Sequence, residues 1–114
     1  MVRPFYVAGH CVGCIWQVGG QRVFVKIVRR ERHFLRQLAA YAIDRAVLAA
    51  LQGERVDLVR IEEEDTGHAF EIPLARFIAL GQIVDLGFRE QVAVPVRNWR
   101  TVGQPELPIP LEVA

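Results

Sequence analysis

The sequence predicts a single α+β domain in which a mostly antiparallel sheet of five or six strands packs on one long helix. Three observations predict it: a chain of 114 residues that is 52% hydrophobic, short β-branched runs separated by glycine turns, and one long stretch with helical spacing. A chain of this length buries roughly two thirds of its surface, so a core is feasible without disulfides. We expect residues 1–103 to form the domain and the proline-rich residues 104–114 to be an extended tail. The predicted order is β-β-β-α-β-β-α-β.

The first three strands are predicted from β-branched runs and glycine turns. A short strand begins near Phe5. Residues 15–18 and 22–28 then flank Gly19 and Gly20, and two such runs around a Gly-Gly turn are typical of a β-hairpin.

The long central helix is predicted over about residues 31–52, with Gly53 as its C-terminal cap. Its apolar residues recur at helical spacing and form one stripe: Leu35, Leu38, Ala42, Ala46 and Ala49. A stripe of this kind faces a core, which is why we place the helix at the centre of the domain.

The second half of this helix also predicts an assembly. Ile43, Val47 and Leu51 fall on its otherwise polar side, and a helix that is apolar nearly all round is buried on all sides. Arg45 falls on the apolar stripe, where a buried arginine needs an acidic partner. Either this helix is central in the domain, or its outer face meets a second chain. We predict a homodimer.

The second half of the chain predicts a hairpin, a short helix and a last strand. Residues 55–64 and 68–72 alternate as strands around a turn at residues 65–67. A proline followed by an apolar run and a glycine predicts a short helix over residues 74–80. Residues 91–96 alternate as a final strand.

A basic segment joins the first hairpin to the long helix. It carries five cationic side chains and a histidine: Lys26, Arg29, Arg30, Arg32, His33 and Arg36. The start of a helix offers free N–H groups and a positive dipole end, which favour an anion. Two interpretations stay open here: the acidic residues 62–65 neutralise the segment, or an external anion such as nucleic-acid phosphate binds to it.

A second pattern lies on the same elements. Lys26 lies on the far arm of a hairpin, and the following helix holds Gln37 and Tyr41 at a spacing of four residues. Over residues 11–62 the chain resembles nucleases of the PD-(D/E)XK class, especially the RecB type. The resemblance implies a mixed sheet, so an antiparallel meander throughout would contradict it. If the resemblance does not hold, Lys26 faces solvent, Gln37 is a surface amide and Tyr41 is a core aromatic.

The carboxylates that the resemblance requires are absent. Phe24 stands where the second metal-binding acid is expected, and no Asp or Glu precedes Glu31. Metal-dependent phosphodiester hydrolysis needs carboxylate oxygens to hold the ion and activate water. The resemblance therefore implies either a degenerate relative that keeps the shape, or an enzyme whose carboxylates come from a partner subunit.

The only two cysteines, Cys11 and Cys14, predict a third alternative. With His10 they could bind zinc, because a C-x₂-C pair supplies two of its four ligands. No second pair follows, so idle thiols are the favoured interpretation, and we expect neither a metal nor another cofactor.

Composition limits the functions that remain. The chain has no serine, we assign no catalytic residue, and we do not favour an enzyme. A formal charge of +1 excludes a field that would draw the whole molecule to a polyanion. No apolar run is long enough for a membrane span, and the low cysteine content favours the cytoplasm. We therefore predict a small cytoplasmic binding or assembly module whose partner is nucleic acid or a protein.

Overall fold

The computed structural model describes residues 1–102, and the predicted tail at residues 104–114 lies outside them. Within this range the strands are β1 (Val2–Val7), β2 (His10–Val18), β3 (Gln21–Val28), β4 (Ala40–Asp44), β5 (Leu58–Glu63), β6 (Ala69–Pro73), β7 (Gln82–Asp85), β8 (Glu90–Pro95) and β9 (Arg100–Val102). The helices are α1 (Arg30–His33), α2 (Arg45–Gly53) and α3 (Leu74–Leu80). None of these three helices is both long and apolar enough to cross a membrane.

The larger sheet has six strands in the order β1-β2-β3-β5-β6-β9. All its neighbours are antiparallel except β3 and β5, which run parallel with Val23 opposite Leu58 and Val28 opposite Glu63. A parallel pair needs a crossover connection, which α1, β4 and α2 supply here. The sheet is therefore mixed, as the nuclease resemblance requires.

The smaller sheet has three antiparallel strands in the order β4-β8-β7. Its inward side chains join those of the larger sheet and the helices in one hydrophobic core, which includes Phe24 of β3, Tyr41 of β4, Leu51 of α2, Phe77 of α3 and Val94 of β8. The prediction of a single α+β unit with a mostly antiparallel sheet is confirmed at this level.

The prediction of one long helix over residues 31–52 is wrong. The helix ends after α1, because Phe34 has extended backbone angles (φ −74°, ψ 126°) and Ala39 has a φ of +48°. The chain then forms β4, in which Tyr41 pairs with Val94 of β8, and only afterwards begins α2. Hydrogen bonds to a strand some fifty residues away outweigh the local helical spacing, and the order becomes β-β-β-α-β-α-β-β-α-β-β-β.

This break removes the basis of the homodimer prediction. Ile43, Val47 and Leu51 are buried in the core of the chain itself. Arg45 is largely exposed at the start of α2 and forms an ion pair with Glu90. No outer apolar face of a long helix is left for a second chain, and the homodimer stays a prediction.

Elements defined by turn chemistry agree with the sequence. Gly19 and Gly20 form the turn between β2 and β3 with positive φ values of 54° and 80°, which glycine adopts without strain. The second predicted hairpin is β5–β6. The short helix α3 follows Pro73 and ends before Gly81, at the predicted residues.

Candidate nucleic-acid interface

A cleft opens where β3 of the larger sheet faces β4 of the smaller one. It consists of two adjoining hollows, of about 410 and 440 Å³, which share Lys26 of β3 and Asp44 at the end of β4. The polar side chains of the two hollows are Lys26, Asp44, Cys11, Arg32, His33, Tyr41, Arg89 and Gln91. We call this the Lys26–Asp44 cleft.

Lys26 is a partly buried cation in this cleft. Burial lowers the pKa of its ammonium group from the ordinary value of 10.5, although the charge of Asp44 acts in the opposite direction, and the nearby Arg89 lowers it further. The interpretation of Lys26 as a solvent-facing strand residue is therefore wrong. A cation that has lost part of its hydration is stabilised by any anion that enters the cleft.

Asp44 is the only carboxylate among the described residues that line the cleft. Gln91, its pairing partner on β8, donates a hydrogen bond from Nε2 to Asp44 Oδ1 at 2.7 Å. Arg89 Nε lies 3.6 Å from the same oxygen. One negative charge thus faces three positive ones, those of Lys26, Arg32 and Arg89.

The floor of the cleft is apolar where the nuclease resemblance expects acids. The ring of Phe24 is fully buried and packs edge-on against Phe5, with 6.1 Å between ring centroids. A Cβ atom at Gly13 would lie 2.7 Å from that ring and 2.6 Å from the carbonyl oxygen of Val25, so the ring closes over a position that holds glycine. A carboxylate in place of Phe24 would be buried without a partner, which is costly.

Residues 1–102 contain no group of three or more His, Cys, Asp or Glu side chains arranged to hold a metal ion. Cys11 is exposed and Cys14 is partly buried, and the two thiols are free. Both lie on β2 together with His10. The zinc alternative therefore gains no support from the described residues.

The basic segment is divided between two environments, and its first half is neutralised. Arg29 lies 3.5 Å from Glu64, and Arg30 Nη1 donates to Glu63 Oε2 at 2.9 Å. The carboxylate of Asp65 accepts the backbone N–H of Arg30 at 2.9 Å. The start of α1 is thus occupied by an acid of the chain itself, and the long helix at whose start the anion site was expected does not form. We call this set of contacts, with residues 29–30 and 63–65, the α1 latch.

Glu63 lies at the centre of the latch with a fully buried side chain. It accepts hydrogen bonds from Arg30, from Thr66 Oγ1 at 2.6 Å and from the hydroxyl of Tyr41. Burial by itself would raise the pKa of Glu63, but these three donors and the charge of Arg30 outweigh it and hold that pKa below its ordinary value. Burial and, to a smaller degree, the hydrogen bond to Glu63 raise the pKa of Tyr41.

The motif formed by Gln37 and Tyr41 does not lie on a helix. Gln37 is exposed in the turn between α1 and β4, and Tyr41 is a buried residue of β4. The surface position of Gln37 and the core position of Tyr41 are confirmed, whereas the helical motif that supported the nuclease resemblance is wrong.

The second half of the basic segment remains open. Arg32 is exposed, and neither it nor Arg36 forms an ion pair with another described residue. Arg32 and His33 line the cleft with Lys26, whereas Arg36 lies in the following turn outside it. The structure thus brings three of the six predicted residues together.

Sequence reasoning missed the other side of the cleft. Asp44 falls inside the predicted long helix, and Arg89 and Gln91 lie some sixty residues beyond Lys26. No local pattern marks these three residues, because only the pairing of β4 with β8 brings them to Lys26.

Comparison with known proteins finds a similarity of structure but none of sequence family. No family model and no curated protein matches the chain. Among solved structures the fold is similar to that of D212, a nuclease from a fusselovirus, with a TM-score of 0.53 and 14% sequence identity. The match covers 88% of this chain and 68% of that one. At this sequence identity the similarity shows a shared fold and nothing beyond it.

Proposed function

We propose that this chain is a nucleic-acid-binding domain of nuclease-like fold that holds phosphate groups in the Lys26–Asp44 cleft and does not hydrolyse them. The observation that carries the proposal is the charge of the cleft. Three cations, Lys26, Arg32 and Arg89, line the cleft with a single carboxylate, Asp44, which pairs with Arg89 and accepts a hydrogen bond from Gln91. Lys26 and Arg32 therefore carry the surplus positive charge.

The form of the cations suits phosphate. Arg32 and Arg89 present planar guanidinium groups, which donate two parallel hydrogen bonds to phosphate oxygens. Lys26 supplies a point charge deeper in the same cleft. Several such groups in one cleft favour a ligand that carries more than one phosphate, as a nucleic-acid backbone does. The fold similarity to a viral nuclease supports the same class of ligand.

We infer that the domain does not hydrolyse its ligand because the described part of the cleft has too few carboxylates to hold a catalytic metal ion. Hydrolysis of a phosphodiester by a bound divalent ion needs several oxygen ligands and an activated water. Among the described residues the cleft offers Asp44 alone, and the buried ring of Phe24 closes its floor. The cleft therefore offers cations for phosphate but, among the described residues, too few carboxylates for the metal that hydrolysis needs.

Binding of labelled oligonucleotides, measured by fluorescence anisotropy at salt concentrations from about 50 mM upward, tests the proposal. We expect the affinity to fall steeply with salt. An Arg32→Gln/Arg89→Gln double variant should bind about tenfold more weakly or worse, with a shallower salt dependence. The matched control is Arg76→Gln/Arg97→Gln, which removes the same charge from exposed positions outside the cleft and should change the affinity little.

Three outcomes would overturn the proposal. The wild-type protein could fail to bind any oligonucleotide at about 50 mM salt. The control variant could weaken binding as much as the cleft variant. Cleavage of the oligonucleotide on addition of Mg²⁺ or Mn²⁺, lost in a Lys26→Met variant, would instead establish an enzyme and refute the inferred absence of hydrolysis.

A further inference from the structure

The hairpin between β7 and β8 places an exposed aromatic side chain beside the cleft. Its loop consists of residues 86–89, and Phe88 at its tip is 80% exposed, more than any other aromatic residue in the described range. An aromatic ring in water contributes nothing to the core. Its position next to a cleft-lining arginine is therefore the feature that calls for a function.

The loop holds this ring in a defined place. The backbone N–H of Leu86 donates to the carbonyl of Arg89 at 2.9 Å, and the N–H of Gly87 donates to Asp85 Oδ1 at 2.8 Å. Gly87 has a φ of +89°, a conformation that costs glycine little. These two hydrogen bonds define the backbone of the turn from which Phe88 extends.

The ring is also connected to the cations of the cleft. The guanidinium carbon of Arg89 lies 5.2 Å from the centre of the Phe88 ring, and Arg89 Nε lies 3.6 Å from Asp44. Leu86 of the same loop lines the cleft. A strand whose phosphates lie against Arg89 would therefore bring its bases to the face of the Phe88 ring that Arg89 leaves free.

We propose that Phe88 stacks on an unpaired nucleobase, so that the cleft and this loop together recognise single-stranded nucleic acid. The inference rests on the proposed binding of phosphates in the Lys26–Asp44 cleft and adds what is bound beyond the backbone. Every base has a π-face, so one exposed ring recognises a single strand without regard to sequence. In a duplex the bases are already stacked on each other and present no free face.

The test compares a single-stranded oligothymidine with a duplex of the same length, using Phe88→Ala, Phe88→Trp and Ile83→Ala variants. Phe88→Ala should weaken single-strand binding about tenfold and leave duplex binding within about twofold, because one stacking contact is lost. The slope of affinity against salt should stay unchanged, since no phosphate contact is removed. Phe88→Trp should retain the affinity and add a fluorescence signal that is quenched on binding.

Ile83→Ala is the matched control, because Ile83 is 58% exposed on the same hairpin and lies outside the cleft. It should leave both affinities unchanged. Sedimentation of the three variants identifies the competing occupant, a second copy of the chain. If Phe88→Ala and Ile83→Ala both dissociate a dimer and leave single-strand affinity unchanged, the exposed surface of the β7–β8 hairpin is a protein interface. The inference is then overturned.

The failure of this inference is distinguishable from that of the proposed function. Binding that depends on Arg32 and Arg89 but not on Phe88 overturns the stacking role alone. Equal weakening of single-strand and duplex binding in Phe88→Ala also overturns it, because the ring would then act on the backbone. A wild-type protein that binds neither oligonucleotide removes both proposals.

Discussion

The α1 latch and the Lys26–Asp44 cleft start from neighbouring residues of one basic segment, yet their charges are compensated in different ways. In the latch, Arg30 lies 2.9 Å from a fully buried Glu63, and Asp65 occupies the start of α1. In the cleft, Asp44 pairs with Arg89 and accepts a hydrogen bond from Gln91, whereas Lys26 and Arg32 form no ion pair with another described residue.

A basic run in a sequence is therefore not one functional unit. The side chains of α1 that face the β5–β6 turn meet carboxylates and fix the helix to the sheet. Those that face β4 and β8 meet a groove with a surplus of positive charge. Stability and ligand binding are thus assigned to different residues of the same segment, and substitutions can separate them.

The largest effect is expected from the centre of the latch. Glu63→Ala leaves the hydroxyls of Tyr41 and Thr66 and the guanidinium of Arg30 without their acceptor. We expect the free energy of unfolding to fall by about 3 kcal/mol, measured by urea denaturation with circular dichroism. Glu90→Ala, which removes an exposed ion pair with Arg45 outside the latch, is the control and should cost less than about 0.5 kcal/mol. Equal losses in the two variants would contradict the latch.

The latch should also weaken in acid. Because the folded-state pKa values of Glu63 and Asp65 lie below their ordinary values of 4.5 and 3.8, the unfolded chain binds protons first as the pH falls. The stabilisation is therefore complete above about pH 5 and is lost progressively below it. Glu63→Gln should show a flatter dependence of unfolding free energy between about pH 5 and about pH 3. Parallel curves for wild type and variant would exclude this role of Glu63.

In the cleft, stability and binding should change in opposite directions. Lys26→Met removes a cation whose pKa is lowered mainly by burial, so the variant should be about 1 kcal/mol more stable at neutral pH and bind oligonucleotides more weakly. The folded state disfavours the protonated lysine, so wild-type stability should rise relative to the variant as the pH approaches 10.5. Denaturation at about pH 7 and about pH 10 measures this. Arg36→Met, in the exposed turn, is the control, and a destabilised Lys26→Met would refute the expectation.

The smallest effect is expected at the one acid of the cleft. Asp44→Asn keeps the shape of the side chain and removes the only negative charge that faces Lys26, Arg32 and Arg89 among the described residues. Affinity for an oligonucleotide should rise about threefold, because the repulsion of phosphate is removed. Asp57→Asn, outside the cleft, provides the same chemical change and should leave the affinity unaltered. Weaker binding by Asp44→Asn would mean that its carboxylate positions the ligand contacts.

Part of the candidate site was predictable from the sequence. Lys26, Arg32 and His33 were expected to bind an anion, and all three line the cleft. The same pattern also selected Arg29 and Arg30, which belong to the latch, because a run of charges carries no information about which face each side chain occupies. Neutralisation by residues 62–65 and an open basic surface were treated as alternatives, whereas the structure contains both.

The break in the predicted long helix had a signal that was interpreted differently. Ile43, Val47 and Leu51 do not fit the apolar stripe of the first half, and in an unbroken helix this mismatch indicates a second chain. The stripe changes its phase because β4 interrupts the helix, and Val47 and Leu51 then face the core from α2, which starts at Arg45. A change of phase inside a long amphipathic pattern is thus also a sign of a break.

The elements that can be predicted from the sequence alone are those set by neighbouring residues. Three elements depend only on the backbone preferences of a few adjacent residues, which the sequence specifies directly. They are the Gly19–Gly20 turn, the β5–β6 hairpin and α3 between Pro73 and Gly81. The tertiary structure alone decided that residues 40–44 form a strand, that β3 runs parallel to β5, and that Asp44, Arg89 and Gln91 meet Lys26. These features depend on hydrogen bonds and charges between segments far apart in sequence, which become neighbours only when the common core forms.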